Sequence, residues 1–295
     1  MATEQQKGLI YGLAAFFLWG ALPIYWKELT EISPSVIIAH RLIWSTVMLF
    51  VIILMRGRLG ILLEKIKDPK MLIGSFLTGA LLSSNWLIYV WSTNNGKVVE
   101  IALGYYILPL LLIVLGYFLL KEKLTTLGVI AVCIATIGVI IQGYGIGTLP
   151  WPALGVAGSF AIYSVFKKLM KSDGFTALIV ETAILSPFAI AYLIYHETRH
   201  GGSWGNGSAH DILFIVLTGL ATISPLLFFT SAAKRIPFTT IGMLQFIAPT
   251  GQFIIGILYF HEALNNTQLI SFSFIWFAVL LYSLSKRSKK FCPET

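Results

Sequence analysis

Ten stretches of this chain are long and apolar enough to be membrane-spanning helices, and that leaves few folds open. A helix that crosses the hydrocarbon layer needs about 20 mainly apolar residues. Such runs lie at about 8–26, 35–55, 71–92, 99–120, 125–142, 151–169, 175–195, 211–231, 239–260 and 268–285. None shows the period-two alternation of an outer-membrane barrel strand. Composition closes the soluble alternative. The chain is 57% hydrophobic and 12% charged, against about 25% charged in soluble domains. A soluble core cannot bury that excess, so lipid must be the solvent for much of the chain. The first run lacks an A-x-A-like cleavage site and is read as a retained span. The remaining segments leave no room for a soluble domain.

The net charge of +8 carries no message about nucleic acid, which is not an expected partner. Its placement matters instead. With the N-terminus inside, the inner segments hold seventeen Lys and Arg residues, among them Arg56, Arg58, Lys65, Lys67, Lys70, Lys167 and Lys168. The outer segments hold three: Lys27, Lys97 and Arg199. The excess of basic residues on the cytoplasmic side predicts that both termini are cytoplasmic. Cys133 lies in a span and Cys292 on the inner tail, so no disulfide is expected.

A repeat runs through the pattern. Pro109, Gly116, Glu122 and Leu124 recur 140 positions later as Pro249, Gly256, Glu262 and Leu264. The same offset pairs Lys27 with Lys167, Leu29 with Leu169, Thr78-Gly79 with Thr218-Gly219, and Ser84 with Ser224. The duplication predicts two repeats, residues 1–145 and 146–295. Five spans per copy is an odd number, so the second copy enters from the opposite side and the two are inverted. Inverted repeats are the plan of many secondary transporters, with the substrate site between the halves near the midplane.

The segments "FFLWGALPIYWKEL" (16–29), "IIAHRLIWS" (37–45), "NWLIYVWSTNNGKVVEIALGYYILPL" (85–110) and "LPWPALGVAGSFAIYSVFKK" (149–168) resemble the RarD family of EamA-type drug/metabolite transporters. The resemblance covers nearly the whole chain. It implies an all-α polytopic permease of the bacterial inner membrane.

Enzyme chemistry finds little support in the residues. Glu181 is the one acid well inside a span, and His40 the one histidine. No Ser-His-Asp arrangement and no P-loop is present, and no clustered ligands predict a metal or cofactor. The "GYGIG" at 143–147 reads as an inter-repeat loop. The expectation is therefore a secondary transporter or facilitator, exporting a small organic metabolite or amphipathic, aromatic solute by alternating access. The alternative is a membrane-embedded enzyme or lipid-handling protein whose substrate enters sideways.

Arg41 is the charge that most needs explaining. It follows Pro34 by seven residues, about 10 Å of helix from the outer end. An arginine facing lipid there is costly, so it should face the interior or a watery cavity. There it can anchor a substrate anion, or it can snorkel or pair structurally. Aromatic walls with few charges suit a flat organic solute. The candidate substrate residues are Arg41, His40, Trp19, Asn85, Tyr89, Tyr106, Tyr163, Gln245 and Phe246. Trp26 and Trp91, near span ends, read as interface anchors. Pro109 and Pro249 are candidate bending points beside the site. Glu181 and His40 are the candidate proton sites, should protons be coupled.

Overall fold

A computed structural model describes residues 3–94, 98–144, 151–170, 174–202, 204–259 and 266–291. Where lipid replaces water, each backbone polar group must be satisfied within the protein, and helices do this locally. The described residues form twelve: α1 (Glu4–Lys27), α2 (Pro34–Met55), α3 (Leu59–Lys65), α4 (Pro69–Asn94), α5 (Val98–Phe118), α6 (Thr126–Gly143), α7 (Trp151–Leu169), α8 (Gly174–Arg199), α9 (Ala209–Ala233), α10 (Phe238–Gln245), α11 (Ile247–Leu258) and α12 (Asn266–Phe291). Local chemistry sets several starts. Thr3 and Gln6 make a reciprocal capping box on α1, Pro34 opens α2, and Thr125 and Ser208 cap α6 and α9.

Every apolar run falls on helix, with two departures from expectation. The segment after α2 folds into the short α3, which the apolar runs do not foreshadow. The ninth run is two helices, broken between Gln245 and Ile247. The break changes the meaning of Pro249. It sits in the first turn of α11, where helix N–H groups have no intrahelical acceptor, so its missing N–H costs no bond. Pro109, its counterpart, lies inside the continuous α5. Among the described residues, α1, α2, α8, α9 and the Pro69–Tyr89 part of α4 are long and apolar enough to cross a membrane by length and composition. Their outward faces carry large apolar side chains, such as Ile10, Phe17 and Phe188 at 60%, 63% and 69% exposure, which suit contact with lipid tails.

The packing is symmetric under the 140-residue offset. Helices α1, α2, α4, α5 and α6 correspond to α7, α8, α9, α10–α11 and α12. α1 packs on α9 as α7 packs on α4, and α2 on α9 as α8 on α4. α5 packs on α7 as α11 packs on α1. Three contacts map onto themselves: α2 with α8, α5 with α10, and α6 with α12. These are the contacts a two-fold axis in the membrane plane would cross. Thr46 and Ser186, 140 positions apart, meet there with their hydroxyl oxygens 2.8 Å apart. Two glycines allow matching close approaches. A Cβ at Gly219 would stand 2.6 Å from the Trp44 backbone on α2, and one at Gly79 would stand 3.2 Å from Leu185 on α8. Glu262, segment 145–150 of the inter-repeat loop and Ser203 lie outside the described residues.

Candidate substrate-binding site

The site grows from Arg41, which α2 carries to the inside of the bundle. Its Nε donates to Thr222 Oγ1 on α9 at 2.9 Å. The Thr222 hydroxyl donates in turn to the Thr218 carbonyl at 2.7 Å, leaving its oxygen open to the arginine. The guanidinium carbon lies 4.9 Å from the Trp26 ring centroid and 4.4 Å from that of Trp86. Two indole faces thus replace part of the hydration a guanidinium loses in the membrane. Tyr25, Tyr89 and Tyr105 are near enough to interact with its charge. No carboxylate among the described residues lies within ion-pair distance of Arg41, so the Nη edge of its fork is not engaged by an acid.

Above this box the outer loop folds back. The His40 ring lies 4.7 Å from Trp204, and Trp44 lies 6.4 Å from it. The loop reaches this position because Gly201, Gly202, Gly205 and Gly207 take φ of +70°, +72°, +63° and +71°, a region open to glycine and strained for other residues. Asp211 pins it by accepting from the Asn206 amide at 3.0 Å.

Below the box lies a small void, water-sized rather than solute-sized, whose lining includes Trp86, Thr222, Leu42, Leu82, Thr182 and Glu181. Glu181 closes its inner end. Its Oε1 accepts from Lys167 Nζ and from Thr78 Oγ1, both at 2.5 Å. Lys167, counted from sequence among the inner-loop charges, instead lies in the last turn of α7 and is 2% exposed, with Glu181 at 1%. Tyr163 is buried beside this pair, its ring centroid 5.5 Å from the ammonium.

The structure divides the sequence candidates into groups. Arg41, His40 and Tyr89 cluster at the outer end, with Tyr89 and Tyr105 edge to face at 6.3 Å. Glu181 and Tyr163 gather at the inner end, so His40 and Glu181 form no common proton site. Trp19 is packed among Phe16, Phe160 and Phe229 at 5.6–5.8 Å. The Asn85 amide donates to the Val156 carbonyl at 2.8 Å and to Ser159 Oγ at 3.1 Å, tying α4 to α7. Tyr106 and Phe246 belong to a second core with Phe272, and Gln245 is buried at the helix break. Sequence reasoning assigned Trp26 to the lipid interface, but its ring lies on Arg41. It passed over Thr222, Lys167 and Trp204. The repeat had paired Lys167 with Lys27, a signal that touched one of the three; none marked Thr222 or Trp204.

Glu122 ties the start of α10 to the end of α7. Its carboxylate accepts from the Phe238 and Thr239 amides at 2.8 and 2.9 Å, capping α10, and from Lys168 at 3.1 Å. Burial raises its pKa, but the two amides and the ammonium outweigh that and hold the carboxyl below its usual range.

The architecture has relatives. The model of the EamA-like transporter family matches this chain twice, over residues 6–143 and 151–284. The chain belongs to the EamA-like transporter family. It is 38% identical to the uncharacterized transporter YojE of Bacillus subtilis (strain 168), over 96% of each protein. It is 37% identical to Protein RarD of Streptomyces exfoliatus, covering 95% of this chain and 89% of that one. Protein RarD of Escherichia coli (strain K12) is 33% identical over 95% of each. A solved crystal structure superposes with a TM-score of 0.73 at 20% identity, covering 95% of this chain and 98% of that one, and so shares the fold. This EamA protein is a RarD-type permease, a multi-pass membrane transporter of the bacterial inner membrane, and its relatives' names point to transport rather than to enzymes.

Proposed function

We propose that this EamA transporter is a secondary carrier or facilitator that moves a small organic solute across the membrane by alternating access, with Arg41 holding an anionic group of that solute. The observation that carries the reading is the guanidinium fork between Trp26 and Trp86, which no carboxylate among the described residues meets. A buried structural arginine is ordinarily matched by a carboxylate. This one is held by a single hydroxyl and two ring faces, which position the fork without neutralising it. The adjoining tyrosines and tryptophans supply flat apolar walls for an aromatic or amphipathic body.

The halves, 1–145 and 146–295, act in this reading as the two inverted repeats of a ten-span bundle with both termini in the cytoplasm. Support comes from the symmetric packing, the two family-model matches and the inner excess of Lys and Arg, which stays large without the buried Lys167. Two similar halves that exchange conformations give outward-open and inward-open states of comparable energy.

The test is flux in proteoliposomes loaded with labelled benzoate, other aromatic carboxylates and their uncharged amides, with loading inside or outside to read direction. The carboxylates should move faster than the amides. Arg41→Lys keeps the charge but loses the planar fork, and Arg41→Met loses both, so flux should fall in both variants and further in Met. A stable Arg41→Met protein with undiminished carboxylate flux sinks the anchor.

A further inference from the structure

We propose that α3 and the turns on either side of it form a docking surface for anionic lipid, with Arg58, Lys65, Lys67 and Lys70 meeting headgroup phosphates and Leu63 and Ile66 meeting the acyl chains. This requires no transported solute, so it stands apart from the carrier reading.

The surface begins where α2 ends. Gly57 takes φ of +61°, and the Gly57 and Arg58 amides donate back to the Leu54 and Ile53 carbonyls at 3.0 and 3.1 Å. This left-handed cap stops α2 and starts the chain into α3. Leu59, Leu62, Leu63 and Ile66 then follow at the spacing that lines one helix face. The protein covers only half of that face. Leu62 belongs to the main core and Leu59 packs against it, while Leu63 and Ile66 are 48% and 36% exposed. A face half seated on protein and half bare suits a helix lying in the headgroup boundary of a bilayer.

The charge around it is lopsided. Residues 56–70 hold Arg56, Arg58, Lys65, Lys67 and Lys70 against Glu64 and Asp68, all of them exposed. Asp68 serves its own helix, its Oδ1 accepting from the Lys70 amide at 2.9 Å at the start of α4. Arg56 lies 5.5 Å from the centroid of the Phe175 ring. The side chains of Arg58, Lys65, Lys67 and Lys70 meet no acid among the described residues. Such a basic cluster beside the end of a membrane helix attracts anionic headgroups. A free phosphate or an acidic peptide would use the bases and leave Leu63 and Ile66 in water. A lipid supplies the phosphate and the hydrocarbon together.

The other repeat shows that this is not a by-product of duplication. Its matching segment, 196–210, has Arg199 as its one Lys or Arg, and Trp204 there folds onto His40. One connector is turned onto the protein and the other toward the membrane. Because α3 joins α2, which carries Arg41, to α4, which carries Trp86, a lipid held there braces the two helices that build the arginine site.

The test reads lipid enrichment beside α3 itself. A fluorophore is attached at Gly60→Cys, where a Cβ meets nothing within 4 Å, in the full-length chain with Cys133→Ser and Cys292→Ser. The protein is reconstituted in phosphatidylcholine bilayers doped with nitroxide-labelled phosphatidylglycerol or nitroxide-labelled phosphatidylcholine. The phosphatidylglycerol should quench at a mole fraction lower by roughly threefold or more, and added salt should shrink the difference. Arg58→Gln/Lys65→Gln/Lys67→Gln/Lys70→Gln should bring the two lipids level. Lys121→Gln/Lys123→Gln/Lys289→Gln/Lys290→Gln, with the same loss of charge elsewhere, should leave the preference in place. Leu63→Gln/Ile66→Gln should weaken it although every base remains. Equal quenching by both lipids beside the unsubstituted bases overturns the proposal. So does an equal fall in the two four-base variants, which would mean bulk attraction only. A preference untouched by Leu63→Gln/Ile66→Gln, or abolished by inorganic phosphate beyond the effect of sodium chloride at equal ionic strength, assigns the bases to free phosphate and also overturns it.

Discussion

Arg41 and Glu181 occupy the same position in the two halves, and they differ in almost everything except placement. Each lies five residues before the Thr46–Ser186 contact on its own helix, and each is held by a threonine of the opposite repeat. Arg41 is partly buried, stacked between two indoles, and no acid among the described residues pairs with it. Glu181 is 1% exposed and locked to an ammonium. The backbone frame of the duplication has been kept while the charges have moved to opposite signs and opposite degrees of enclosure. A chain with two like charges there would have carried repulsion along one cavity. Opposite charges at the two matched positions avoid that, and only the Glu181 position is fully enclosed.

The sharpest way to break this comparison is to remove each charge alone. Glu181→Gln strands the Lys167 ammonium in an apolar interior. Breaking a buried pair from one side costs about 3–5 kcal/mol, whereas removing both members is often close to neutral. Thermal and denaturant unfolding in detergent should therefore rank Glu181→Gln far below Lys167→Met/Glu181→Gln, with the double variant near wild type. Arg41→Met strands no buried charge. It should cost its stacking on the rings and the one hydrogen bond to Thr222, about 2 kcal/mol together. Equal losses in Glu181→Gln and Arg41→Met would mean that the two sites are not enclosed differently at all.

The fold was legible in the sequence to the extent that lipid makes it so. Apolar length marks helices because an unbonded backbone cannot stay in hydrocarbon, and the 140-residue offset anticipates which helices pack in matching pairs. What escaped are features written in short-range packing. The break at Phe246 has no glycine or capping residue to announce it, and Pro249 reads as a mid-span kink until the break is seen. The site was half legible. An arginine inside an apolar run stands out by its cost, so Arg41 could be singled out. Lys167 could not, since a lysine at a span end is expected to be in water. Nothing in the sequence separates a tryptophan at the interface from one turned inward, so Trp26 was misplaced. Asn85 and Trp19 share the composition of a binding site, and only their partners reveal that they hold helices together.

A smaller effect is expected at the start of α10. Glu122 caps α10 from outside the helix and holds Lys168, so Glu122→Gln should cost about 1 kcal/mol, the usual scale of a lost cap. The pH dependence has a definite sign. The carboxyl is held below its usual range when folded, so its contribution is complete above the unfolded carboxylate pKa. It is lost as the pH falls through the lowered folded value. Subtracting the unfolding curve of Glu122→Gln from that of wild type should leave a difference that is flat near neutrality and shrinks on acidification. A difference that grows on acidification would contradict the assignment.

The smallest effect lies on the symmetry axis itself. Thr46 and Ser186 each have a carbonyl of their own helix as acceptor, Leu42 at 3.0 Å and Thr182 at 2.8 Å, and their oxygens are 2.8 Å apart. Two hydroxyls have two protons, so only one can point across the α2–α8 contact while the other bonds its own turn. The cross-helix bond is thus one ordinary hydrogen bond, which in membrane proteins averages about 0.6 kcal/mol by double-mutant cycle. Thr46→Val, Ser186→Ala and the double variant should give a coupling of that size in unfolding free energy. Neither hydroxyl is hydrogen-bonded to Arg41, so flux should change little in any of the three. A coupling near zero would mean that both hydroxyls bond only their own helices, and the α2–α8 contact is then held by packing alone.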